Sequence, residues 1–127
     1  MGKAYARQIR KKDAKKDNVM CLMVHGDSSV AGQGVVAETT LLSKVPYFDV
    51  GGTVHLVVNN QVGFTATRKE ARTGDYCTDV AKTYGAPVFH VNAESPEEVA
   101  AVTQIAMAYK VKYQKDVWID LIGYRKH

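Results

Sequence analysis

Four short runs of apolar and β-branched residues recur along this chain: VMCLMV (19–24), TVHLVV (53–58), PVFHVN (87–92) and DVWIDLIG (116–123). Runs of this length, flanked by Gly, Asn, Asp or Pro, are what strands buried on both faces look like. The segments between them carry helical spacing. SSVAGQGVVAETTLLSKV ends at Pro46 and places Val30, Val35, Val36, Thr39 and Leu42 on one face of a helix turned toward a sheet. SPEEVAAVTQIAMAYKVKYQK predicts the clearest helix, with Ser95 as N-cap, Pro96 at the first helical position and Glu98 closing a capping box. Val99, Val102, Ala106, Tyr109 and Tyr113 then mark its apolar face. A shorter helix is expected around DYCTDVAKTYG, stopped by Gly85. The alternation predicts an α/β fold: a parallel sheet with helices on both faces, joined by right-handed crossovers.

Charge narrows the function classes. The 127 residues carry a net charge of +4, yet residues 1–16 hold seven of the 17 Lys and Arg against one acid, Asp13. The remainder is slightly acidic, so the folded part does not present the basic surface that nucleic acid requires. Residues 1–18 are read as a solvated basic segment ahead of one domain, 19–127. Cys21 and Cys77 form no C-x-x-C pair and suggest neither a disulfide framework nor zinc. No apolar run reaches the roughly 18 residues of a membrane span.

In open parallel α/β sheets, ligands bind beyond the carboxyl ends of the strands. HGDSS (25–29) and NNQVGF (59–64) fall there. Asp27 offers a carboxylate and Asn60 an amide oxygen, on strands that the fold rules place close together. Two hard oxygen donors suit Mg²⁺, which completes its octahedron with water and phosphate oxygens. The free N–H groups of a helix opening at Ser28 favour a phosphate in the same place, and Gly26, Ser28 and Ser29 leave room for it. Taken singly, Asp27 also reads as a helix cap and Asn59-Asn60 as a turn. GQGVVA (32–37) matches a dinucleotide fingerprint, but it starts eight residues after Val24 instead of directly after the strand, and no acid ends the second strand.

The pair GDS (26–28) and NN (59–60) resembles the cofactor motif of thiamine diphosphate enzymes, with Ser28 where the generic pattern has Gly. Together with VVNNQVGFT, YCTDVAK, APVFHVNAESPEEV and KDVWIDLIGYRKH, the chain resembles the decarboxylating component of 2-oxoglutarate dehydrogenase complexes over nearly its whole length. The resemblance implies the thiamine diphosphate-binding fold. It implies Mg²⁺ held by Asp27, Asn60 and the Val62 carbonyl, with Gly26, Ser28 and Ser29 against the diphosphate. It further implies 2-oxoglutarate as substrate, a lipoyl-bearing succinyltransferase as partner, a homodimeric full-length enzyme, and the mitochondrial matrix in a eukaryote or the cytoplasm in a bacterium. A 2-oxoadipate-specific relative shares these motifs.

The family's activating glutamate has no match here; Glu38 is read as structural. The chain ends at His127, just before the family's Gly-His segment, so His127 is assigned no catalytic role. The expectation is a diphosphate-binding piece of a longer enzyme, inactive alone, or a non-catalytic fragment that dimerises with the full-length protein.

Overall fold

The computed structural model describes residues 1–126. All four expected strands form: β1 (Cys21–Gly26), β2 (Thr53–Asn59), β5 (Val88–Asn92) and β6 (Val117–Ile122). They pair in parallel in the order β1-β2-β6-β5. A two-residue hairpin, β3 (Val62–Gly63) with β4 (Ala66–Thr67), follows β2 and leads into α4 (Arg68–Ala71).

The period of two divides the side chains between two cores. Val57 and Trp118 face one side of the sheet, where they meet Val30, Val36, Cys77 and Ala81. These come from α2 (Asp27–Ala31), α3 (Val35–Leu41) and a 3₁₀ helix, Cys77–Tyr84. Val54, Val117 and Ile119 face the other, with Val91 of β5 and Ala106 of α5 (Pro96–Tyr113). Helices therefore cover both faces. The cover ends before β1: on the α5 side, Leu22 is 53% and Val24 62% exposed.

Three local expectations change. The helix expected after β1 is two short ones, because Gln33 (φ 62°) and Gly34 (φ 77°) take the left-handed conformation and interrupt it. Ser95 is the N-cap of α5 and Pro96 its first residue, but φ −113° and ψ 86° leave the serine without a side-chain cap bond, and the capping box does not close. The third helix is 3₁₀, stopped as expected by Gly85 at φ 74°.

The N-terminal segment is the largest departure from expectation. Lys3, Arg7, Arg10, Lys11, Lys12 and Lys15 are exposed as read, but residues 1–18 are not simply solvated. Gly2–Arg10 is a helix, α1, whose Ala4 packs with Val19, Cys21 and Val50. Gln8, also buried, donates from Nε2 to the carbonyls of Val19 and Val50 at 3.0 and 2.9 Å. Met1, Ala4, Tyr5 and Gln8 are spaced as one helical face, a signal hidden under the dense charge of the other. Asp13, buried behind the helix, accepts from the Asn18 and Val19 N–H groups at 3.1 and 3.0 Å and closes the return to β1.

Candidate functional site

Where β1 and β2 end side by side, a cavity of about 600 Å³ opens. Gly26, Asp27, Ser28, Ser29, Asn60 and Val62, all six residues singled out from the sequence, line it. Val58, Gly63, Phe64, Ala66 and Ala71, which were not singled out, complete the wall with apolar surface. The pairing of β1 with β2 sets Gly26 opposite Val58, so the two carboxyl ends meet at this point.

Asp27 opens α2 and is only 5% exposed. Among the described residues its carboxylate makes none of the side-chain hydrogen bonds that occupy Asp13, Asp49, Asp116 and Asp120. A carboxylate taken from water needs a cation or donors in exchange. Across the cavity, the Asn60 side-chain oxygen accepts the Val62 N–H at 3.1 Å, closing an Asx turn, and keeps its second lone pair. Gln61 turns at φ 62° between them, its own N–H bonded to Asn59 Oδ1 at 3.0 Å. The hairpin lies hard against the start of α2. A Cβ at Gly63 would stand 2.5 Å from Ser28 Oγ, so any larger residue there would push the serine hydroxyl aside. Among the described residues no group of three His, Cys, Asp or Glu could hold a metal. Any cation here must rely on one carboxylate, amide and carbonyl oxygens, and oxygens brought by a ligand.

Behind Asp27 the aromatic side chains form a column. His25 Nε2 and His55 Nδ1 lie 3.0 Å apart, and the His55 ring stacks on Trp118 at 4.2 Å with 4° between planes. His55, buried, is hydrogen-bonded on one ring nitrogen only: Nε2 has no hydrogen bond and sits 3.6 Å from Asp116 Oδ2. Burial, reinforced by His55 beside it, pushes the His25 pKa down from 6.5 to about 4. The unfolded chain therefore takes up a proton near pH 6.5 that the folded chain refuses until about pH 4. Stability should fall as pH drops through that window, by about 2–3 kcal/mol. The lowered carboxylates, such as Asp49, act below their ordinary 3.8 and barely overlap it. Thermal unfolding between pH 4 and 7.5 should show the slope in the natural chain and lose it in His25→Phe, which keeps a ring on the stack. An unchanged slope in the variant would assign it elsewhere.

The sequence places Asn59 in the turn and motif after β2 but assigns it no separate role, and it assigns none to Asp120 or His90. Asp120, fully buried, accepts from Asn59 Nδ2 and from His90 Nδ1, each at 2.9 Å. The available signal was a single acid inside the otherwise apolar VWIDLI. Cys77 lies beside this group, and burial pushes its thiol up to about 12, which makes it an inert packing group. Gly32–Ala37, the dinucleotide-like match, spans the break between α2 and α3 and lines no part of the cavity. Glu38 is exposed on α3, and His127 lies outside the described residues.

The model of the dehydrogenase E1 component family matches residues 1–127. The chain belongs to that family. Its relatives within the dehydrogenase E1 group include the mitochondrial 2-oxoglutarate dehydrogenase of Dictyostelium discoideum, 51% identical over 126 residues, which covers 99% of this chain and 12% of that protein. The 2-oxoglutarate dehydrogenase E1 component of Coxiella burnetii is 48% identical over 128 residues, 100% of this chain and 14% of that protein. The 2-oxoadipate dehydrogenase complex component E1 of Homo sapiens is 50% identical over 110 residues, 87% of this chain and 12% of that protein. The chain thus spans about an eighth of the length of the relatives it matches.

Proposed function

We propose that this chain is the part of a 2-oxoglutarate dehydrogenase E1 component that holds Mg²⁺ and the diphosphate of thiamine diphosphate. One observation carries the reading: a buried carboxylate without a donor, Asp27, faces an amide-bearing turn across a cavity at the carboxyl ends of two parallel strands. Asp27, Asn60 and the Val62 carbonyl would hold the cation, and the first-turn N–H groups of Ser28 and Ser29 would meet the diphosphate with Gly26 beside them. The chemistry supplied by the bound cofactor is decarboxylation of a 2-oxo acid and delivery of the acyl unit to a lipoyl group.

What this chain does for that chemistry is placement. Asp27 offsets the cation's charge in a site where burial strengthens the attraction. Gly63 leaves room for the Asn60-Val62 turn beside α2, and Val58, Ala66 and Ala71 give the cavity an apolar wall.

The same reading assigns a lipoyl-bearing succinyltransferase as partner, a homodimer as the full enzyme, and the matrix or the bacterial cytoplasm as location. Among the described residues no helix is long and apolar enough to cross a membrane. Identities of 51% and 50% to 2-oxoglutarate and 2-oxoadipate relatives do not separate the two substrates, whose enzymes share these motifs; the first is preferred because more of the similar relatives carry the 2-oxoglutarate dehydrogenase name.

Calorimetric titration of thiamine diphosphate into the folded chain, with and without Mg²⁺, tests the site. Heat of binding is expected only with Mg²⁺ present. Equal binding in both conditions would remove the metal from the reading.

A further inference from the structure

We propose that Asp120 is the positioning residue of this site: through Asn59 it fixes the turn that presents Asn60 and Val62. The proposal rests on the reading of the cavity as a Mg²⁺ and diphosphate site. Asp120 stands in the middle of β6 with no exposed surface, where Val or Ile would cost less. It is an acceptor only, and its oxygens are spoken for: Oδ1 takes the Asn59 Nδ2 donor at 2.9 Å and Oδ2 faces His90 Nδ1 at 2.9 Å. The thiol of Cys77 lies 4.0 Å from Oδ1.

What Asp120 settles is the sense of one amide. Asn59 has a carbonyl oxygen on one branch of its side chain and an NH₂ on the other, of nearly equal shape. With Nδ2 drawn to Asp120, Oδ1 must face the other way, and there it accepts the Gln61 N–H at 3.0 Å. Flipped, the NH₂ would oppose that N–H, donor against donor. Gln61 could not then be held at φ 62°, the conformation that swings Asn60 and Val62 to the cavity.

Two further bonds clamp the same turn to the end of β6. The Gly123 N–H donates to the Asn59 carbonyl at 2.8 Å, and Gln61 Nε2 donates to the Gly123 carbonyl at 2.8 Å. Those bonds locate the turn; the Asp120-Asn59 bond sets its donor and acceptor pattern. His90, roofed by the Tyr76 ring at 3.9 Å, holds the second oxygen and prevents the carboxylate from rotating away.

The test exchanges the partners across this bond. Asp120→Val removes the acceptor, Asn59→Asp sets two carboxylates against each other, and the double variant Asn59→Asp/Asp120→Asn restores one donor and one acceptor with their places exchanged. The chain Met1–His127 is read two ways: Mg²⁺-dependent affinity for thiamine diphosphate, and amide hydrogen exchange at Gln61 and Val62 against the central amides of β2. Each single variant should weaken affinity by about 10- to 100-fold, the range for groups that orient metal ligands. Exchange at Gln61 and Val62 should quicken by about tenfold with β2 unchanged. The double variant should recover both.

Natural affinity and natural exchange in folded Asp120→Val would overturn the proposal, as would a double variant no better than Asn59→Asp. A natural chain that binds no cofactor would count against the site reading, and the exchange pattern alone would then decide the role of Asp120.

Discussion

Asp27→Ala should lower the Mg²⁺-dependent affinity for thiamine diphosphate by more than about 100-fold, beyond the range seen when groups behind the ligands are lost. The reason is the poverty of the donor set. Among the described residues no second carboxylate joins Asp27, Asn60 and Val62 at the cavity, so the variant leaves the protein only neutral oxygens to offer a divalent ion beside those of the diphosphate. Asn60→Ala removes a neutral donor and should cost less, although it also opens the Asx turn that the Asn60 side chain closes at Val62. Stability should move differently. A carboxylate 5% exposed and without a hydrogen-bonded donor is a burden on the empty fold, partly offset by its place in the first turn of α2. The melting temperature of Asp27→Ala without ligand should therefore stay within about 5 °C of the natural chain or rise. Titration beside thermal unfolding separates the two effects. Equal affinity in both proteins would sink the metal site, and a collapse of the unliganded variant would mean that Asp27 is structural.

The strands were legible because a strand buried on both faces must be mostly apolar, and β2 and β6 each announce themselves that way apart from Thr53, His55, Asn59 and Asp120. Asp27 and Asn60 were legible because the rule for parallel sheets names where to look, and the alternation had already located the strand ends. What could not be read was decided by single backbone angles or by distant pairing. Gln33 is an ordinary helix former, and nothing local says that it will turn left-handed and split a helix. Ser95 and Glu98 have the right types for a capping box, yet the backbone at Ser95, whose N–H is held by the Asn92 carbonyl, points the hydroxyl elsewhere. Asn59 and Asp120 are 61 residues apart, and only the register of β2 on β6 makes them neighbours. The helical face of α1 was present in the sequence, but seven cations drew the reading toward solvent.

The largest stability effect should come from Trp118, the only tryptophan and fully buried at the centre of β6. Its ring packs against Val30, Val36, Val57, Cys77 and Ala81, stacks on His55, and donates from Nε1 to the Tyr84 hydroxyl at 2.6 Å. Trp118→Ala removes all three at once and leaves a cavity in a sheet whose neighbouring strands cannot close in, a loss of about 3–5 kcal/mol. Against total stabilities of about 5–15 kcal/mol, that is enough to leave much of the chain unfolded at 37 °C. Trp118→Phe separates the contributions. It keeps a stacking ring and most of the apolar contact, while Tyr84, whose hydroxyl burial holds protonated, loses its donor, so about 1–2 kcal/mol is expected. Urea unfolding followed by circular dichroism gives both values. The order Trp > Phe > Ala in stability is required if packing dominates, whereas equal losses in Phe and Ala would put the stability in the Nε1 hydrogen bond. The column also predicts which variant harms the site. His25 rests on His55 and lies 5.5 Å from the indole, and it immediately precedes the Gly26-Asp27 turn. Whatever fraction of Trp118→Ala stays folded should therefore hold Asp27 less firmly and bind Mg²⁺ and cofactor more weakly, while Trp118→Phe, with the stack intact, binds as the natural chain does.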